Sequence, residues 1–137
     1  MSNISQMEME EFFSKEFPQA NFVIESFDEG SVTIRGKVGE GDLRPGGTVS
    51  GPTMMGLADF AIYAAILWEI GLVALAVTTS LNINFLRRPV AEKDVLGVCK
   101  ILKLGKTLAI GEVTIYSEGD DQPIAHSVGT YSIPPTK

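Results

Sequence analysis

The stretch Pro52–Trp68, PTMMGLADFAIYAAILW, decides the architecture of this 137-residue chain. Its length and its methionine, leucine and alanine content predict a helix of roughly four to five turns. It is apolar on nearly every side, so it belongs inside a fold rather than on a surface. A membrane span is disfavoured: Asp59 and Glu69 would each cost about 2.5–3.5 kcal/mol near a bilayer centre, and Gly71 breaks the run. One charge, Asp59, stands inside the helix. It is too far from the start to cap it or to complement its dipole, because both effects fade within the first turn. A carboxylate taken out of water needs partners. Two accounts stay open: a working group, or a satisfied aspartate bonded to Tyr63 one turn later or to a neighbouring chain. Glu69, beside Trp68 and Gly71, reads as a solvated terminus.

Upstream of this helix, Ser50-Gly51-Pro52-Thr53 is a helix-start signature, with Ser50 or Gly51 as the cap and proline in the first turn. Unpaired backbone N–H groups at such an end can stabilise an oxyanion, and Gly51 allows close approach to its backbone. Plain capping needs no more than Ser50. Ser50 as a nucleophile has little support, because the spacing is not G-x-S-x-G and the single histidine, His126, is remote.

Before the Gly/Pro-rich loop Gly39–Val49, which carries Arg44-Pro45-Gly46-Gly47, two strands are expected, Phe22–Phe27 and Ser31–Val38, joined around Asp28-Glu29-Gly30. An amphipathic helix from Ile4 to Phe17 precedes them, ended near Pro18. After the central helix come four strands, Ala74–Leu86, Val95–Leu104, Thr107–Ser117 and Pro123–Ile133, with a hairpin at Leu104-Gly105-Lys106. Strands joined by hairpins make a mainly antiparallel sheet, wrapped on one long helix: an α+β architecture in a single domain spanning residues 1–137.

Composition fits a globular protein, 45% hydrophobic and 20% charged. The single cysteine, Cys99, rules out an intrachain disulfide, and the N-terminal residues lack a basic start and an apolar core, so a cytoplasmic location is expected. A net charge of −6 argues against nucleic acid as a partner. The charge is uneven: residues 1–42 hold nine acids against three bases, whereas residues 87–106 hold six bases against two acids. That basic segment can receive a small polyanion or can be a set of solvated strand ends. His126 and Cys99 read as structural, and no cluster has metal-ligand spacing.

The segment Gly47-Thr-Val-Ser-Gly-Pro-Thr-Met-Met-Gly-Leu-Ala-Asp59 resembles the helix-opening motif of the PaaI-like hotdog-fold acyl-CoA thioesterases, which reads G-x-x-H-G-G, six residues, then Asp. Ser80-Leu-Asn-Ile-Asn-Phe-Leu-Arg87 and Lys103-Leu-Gly-Lys-Thr-Leu-Ala109 match two further stretches of its pattern, and the resemblance covers roughly residues 20–134. It implies a hotdog fold and hydrolysis of acyl-CoA thioesters to free acid and CoA. Asp59 falls on the family's catalytic carboxylate, Gly51 on the glycine whose N–H polarises the carbonyl, and Thr78, with Thr79 and Ser80 beside it, near a hydroxyl that holds water or the carboxylate. It further implies a homodimer or dimer-of-dimers tetramer with sites at the subunit interface. Arg87, Arg88, Lys103 and Lys106 become candidates for the coenzyme A phosphates, and Arg44 falls near a position that is often asparagine. Coenzyme A is part of the substrate, so no separate cofactor is implied, and no membrane partner. The apolar, Met-rich helix, with Met54 and Met55, suits an apolar acyl group. Two positions depart from the motif: Ser50 replaces the histidine and Pro52, which has no N–H, replaces a glycine. The lost histidine also motivates a second reading, a non-catalytic acyl-CoA or lipid-binding protein of the same fold.

Overall fold

The computed structural model describes residues 4–18, 21–28, 30–45, 47–72 and 75–135. Helix α1 (Gln6–Glu16) starts at a capping box in which Ser5 accepts from Glu8 N–H and the Glu8 side chain returns to Ser5 N–H. Its Met9 and Phe13 are buried. Strands β1 (Phe22–Asp28) and β2 (Ser31–Gly36) follow as an antiparallel pair; Glu29, in the expected turn, lies outside the described residues. In β2 the alternation places Val32 and Ile34 inward. The strand stops at Gly36 rather than Val38, because the Val38 N–H donates to the Asp94 carboxylate instead of to a strand. The loop before the central helix contains a short 3-10 turn, Glu40–Asp42, and a single bridge between Leu43 and Val49; Gly46 lies outside the described residues.

Helix α2 (Gly51–Ile70) is longer than its sequence signals indicate, beginning at Gly51 and passing Trp68. Every residue from Phe60 to Leu67 is buried. By length and hydropathy it could cross a membrane, but here it is the core helix of the sheet. It ends at Gly71, whose φ of 106° favours glycine. Strands β3 (Val77–Phe85), β4 (Val95–Leu104), β5 (Leu108–Ser117) and β6 (Pro123–Ser132) complete one six-stranded sheet in the order β1-β2-β4-β5-β6-β3. All its pairings are antiparallel. Strand β3 starts at Val77, short of the expected Ala74, which is outside the described residues. This is the α+β arrangement the sequence predicts.

The sheet curls around α2 because its inward positions are small where the helix comes closest. A Cβ on Gly129 would sit 2.7 Å from Ile62 Cδ1, and one on Gly111 would sit 3.1 Å from Ile62 Cγ2. Leu57, Ile62, Ile66 and Leu67 are wholly buried, each worth about 1.5–3 kcal/mol relative to exposure. This packing fixes α2 against the sheet, and so fixes Asp59 against β3 and β6.

Candidate active site

Two features of α2 organise the site, and the fold keeps them apart. The first is Asp59. It is half-buried rather than enclosed, because the first half of α2 turns one stripe (Pro52, Met55, Gly56 and Asp59) away from the core. Thr78 Oγ1 donates to Asp59 Oδ1 at 2.6 Å and Tyr131 Oη donates to the same oxygen at 2.8 Å. Tyr131 Oη also lies 3.2 Å from the Asp59 carbonyl oxygen. No described residue donates to Oδ2, which is left for water or substrate. Thr78 and Tyr131 are cross-strand partners on β3 and β6, and a register shift between Thr78 and Ser80 turns Thr78 towards the helix. Burial pushes the Tyr131 phenol well above its ordinary value, only partly opposed by its bond with Thr78. It therefore stays a protonated donor at any ordinary pH.

Around Asp59 lies a groove of about 460 Å³ lined by Phe17, Phe22, Gly56, Phe60, Tyr63, Ala76, Val77, Thr78 and Tyr131. Asp59 is the one charge among these described residues. A carboxylate on an apolar wall, with one oxygen pinned by two hydroxyls and the other open, can accept a proton from water at a bound acyl group.

The second feature is the helix start. Ser50 caps α2: its Oγ accepts from Thr53 N–H at 3.3 Å and donates to Thr53 Oγ1 at 2.9 Å. Thr53 in turn donates to Asp42 at 3.0 Å. The Ser50 hydroxyl is thus engaged within the cap. With Pro52 lacking an N–H and Thr53 N–H capped, Gly51 keeps the N–H in this first turn that meets no acceptor among the described residues. A groove of about 420 Å³ opens there, lined by Arg44, Thr48, Gly51, Met54, Phe85, Arg87 and Arg88 among others. The Phe85 ring covers Gly51 so closely that a Cβ would lie 3.3 Å from its Cζ. Arg44, Arg87 and Arg88 converge on this groove, although Arg87 also pairs with Asp120 at 2.9 Å.

Gly51 and Asp59 lie eight residues apart on one helix, about 12 Å along its axis. They line different grooves, so a single chain does not bring them to one carbonyl. Met55 sits one turn from each on the same face, exposed. Lys103 and Lys106 lie on the exposed β4–β5 hairpin, away from the arginines and towards the Val77 end of the sheet, where Leu108 and Val77 both pair with Ser132. Thr79 donates to the Thr130 carbonyl at 3.3 Å and Ser80 pairs with Thr130; neither lines the Asp59 groove. His126 bonds Glu112 at 2.8 Å across neighbouring strands, far from Asp59 in the register. Cys99 is buried, which pushes its thiol up to about 12. No cluster with metal-binding composition occurs among the described residues.

Sequence reasoning missed Tyr131, Phe17 and Phe22. The signal for Tyr131 was its register: Ala125, Ser127, Gly129 and Tyr131 share the inward face of β6, so its hydroxyl had to find a partner on α2.

The sequence profile of the thioesterase superfamily matches residues 46–124. A candidate esterase of Thermoplasma acidophilum is 30% identical over 112 residues, 82% of this chain and 83% of that protein. The crystal structure of a candidate thioesterase from Silicibacter sp. TM1040 has 44% identity and a TM-score of 0.91, covering 98% of this chain and 95% of that one. The E. coli PaaI protein, from the phenylacetic acid degradation operon, shares the fold at 23% identity with a TM-score of 0.72, covering 93% of this chain and 92% of its own.

Proposed function

Because the chain belongs to the thioesterase superfamily, we propose that its reaction is the hydrolysis of acyl-CoA thioesters to free acid and CoA. The chain is a thioesterase of that superfamily with the hotdog fold, and its likeness to PaaI is one of fold; the PaaI-like subgroup, the coenzyme, the catalytic groups and the two-chain site belong to the proposal. The observation that carries it is the Asp59 carboxylate, pinned through Oδ1 and open at Oδ2 on an apolar groove. Water beside Oδ2 gives up a proton as its oxygen bonds to the thioester carbon. The carbonyl oxygen becomes an oxyanion held by the Gly51 N–H and the positive end of the helix dipole. The C–S bond then breaks, and the proton held by Asp59 passes to the departing sulfur, leaving the acid and the thiol.

The separation of Gly51 from Asp59 supports a site built by two copies. Strand β3 is an edge strand, with Thr78 near Asp59 at one end and Phe85 against Gly51 at the other. A two-fold axis across the middle of β3 would exchange those ends, setting the Gly51 groove of one copy opposite Asp59 of its partner. In that arrangement Arg44, Arg87 and Arg88 stand beside the oxyanion site, suited to the phosphates of CoA. Lys103 and Lys106 are further candidates from the copy that supplies Asp59.

Thiol release from a panel of acyl-CoAs tests the reading. Asp59→Asn should lower kcat at least a hundredfold on the best substrate while the protein stays folded. Wild type and Asp59→Asn equally slow on every member of the panel would sink hydrolysis by Asp59; saturable acyl-CoA binding without product would point to a binding protein instead.

A further inference from the structure

The Asp59 groove shares a wall with a second groove. Phe17, Phe22 and Phe60 line both the Asp59 groove and a neighbouring one of about 300 Å³ between α1 and β1, whose other walls include Phe13, Pro18 and Ile24. The rings form one packed partition. Phe22 and Phe60 have centroids 5.1 Å apart, Phe17 and Phe60 6.3 Å, and Phe17 meets Tyr63 edge-on at 5.7 Å. Phe22 faces the helix at Gly56, where a Cβ would be in ordinary van der Waals contact with Phe22 Cζ at 3.6 Å.

The three rings are not equivalent. Phe60 is buried and belongs to the core helix. Phe17, at the C-cap of α1, is 41% exposed, and Phe22 opens β1 half-buried. Phe17 is nonetheless firmly held. Its N–H donates to the Phe13 carbonyl at 2.8 Å, and Phe13 packs on Phe60 with centroids 4.7 Å apart. Buried Met9 and the capping box fix α1 from its other end. Both Phe17 and Phe22 lie outside residues 46–124, the stretch matched to the superfamily. The partition therefore joins Phe60 of the matched stretch to two rings from the N-terminal part of the chain.

Resting on the assignment of Asp59 to the reacting thioester, we propose that Phe17 and Phe22 set the length of the acyl group that the enzyme accepts. A straight acyl chain entering beside Asp59 runs along apolar side chains until it meets the two rings. Chains that end there keep their methylenes along the apolar wall of the groove. Longer ones must displace aromatic side chains that are packed on one another, or bend back towards water. Removing either ring joins the two grooves and gives a longer chain somewhere to go. Phe17 and Phe22 are thus specificity-determining residues, and the space behind them is a latent extension of the acyl site.

The test is a chain-length profile of kcat/KM for straight saturated acyl-CoAs, from butyryl to hexadecanoyl, on wild type, Phe17→Ala, Phe22→Ala and Phe17→Trp. The same series is titrated calorimetrically into Asp59→Asn protein with and without each change. Each methylene that gains burial is worth about fourfold in affinity. The ratio of dodecanoyl to butyryl values should therefore rise at least tenfold in Phe17→Ala and Phe22→Ala, and the profile should shift to shorter chains in Phe17→Trp. Superimposable profiles in folded variants overturn the proposal. If no acyl-CoA is turned over, hydrolysis is refuted separately, and the calorimetric profiles decide on the partition by the same criterion.

Discussion

Replacing Tyr131 by Phe removes one oxygen from the site and nothing else of size. The ring stays in place against Tyr63, whose centroid is 5.8 Å away. Lost are the 2.8 Å bond to Asp59 Oδ1 and the 3.2 Å contact with its carbonyl oxygen, while the 2.6 Å bond from Thr78 remains. A hydrogen bond to a charged group contributes about 1.5–3 kcal/mol. Water can reach the half-buried carboxylate and replace part of this, so the lower end applies to stability, about 1.5 kcal/mol. For turnover, the carboxylate is left held by one hydroxyl and can rotate, so Oδ2 is no longer directed at one water position. A similar loss in the transition state lowers kcat by about tenfold. KM should stay within about threefold, because the groove wall is unchanged. Two measurements check this: steady-state thiol release and urea unfolding. A third comes from the Asp59→Asn background, where adding Tyr131→Phe should lower the residual rate by less than about twofold if Tyr131 acts through Asp59. A folded Tyr131→Phe protein with wild-type kcat would refute the reasoning, as would an equal loss in both backgrounds.

Two further outcomes follow from the packing and the charges. Gly129→Ala places a methyl 2.7 Å from Ile62 Cδ1 and 2.9 Å from Leu81 Cδ1, and should destabilise the fold by roughly 1–3 kcal/mol in urea unfolding; a change below about 0.5 kcal/mol would mean that the ends of the Ile62 and Leu81 side chains yield to the methyl. Asp94 has its carboxyl held below the usual 3.8, first by the Val38 N–H and then by Arg35, which also binds Glu25 and Glu118. A depressed folded value gives stability that is present above the unfolded value and lost as pH falls through the folded one. Wild type should therefore weaken as pH drops below about 4, and Asp94→Asn should flatten that loss. Parallel stability–pH curves for the two proteins would count against this account.

The central helix and the antiparallel strands were legible because each rests on local pattern. An all-apolar run of helical length must be enclosed, and alternation such as that around Val32 and Ile34 marks a sheet face. Strand ends were less legible. Val38 leaves its strand for a carboxylate 56 residues away in sequence, and no local signal announces that bond.

By itself the sequence determined that one long helix is enclosed by a sheet, that Asp59 stands on it without a local structural reason, and that Ser50-Gly51-Pro52 opens it. Those conclusions need only side-chain chemistry and helical or strand periodicity. Tertiary structure alone decided the rest. It set Tyr131 and Thr78 on one oxygen of Asp59, turned Asp59 into an aromatic groove instead of the core, and split the basic residues between two ends of the sheet. It also brought Phe17 and Phe22 against α2 from the N-terminal segment. Such pairings depend on sheet register and on how closely the helix can approach its glycines. Those quantities arise from packing the whole chain at once, and no window of neighbouring residues contains them.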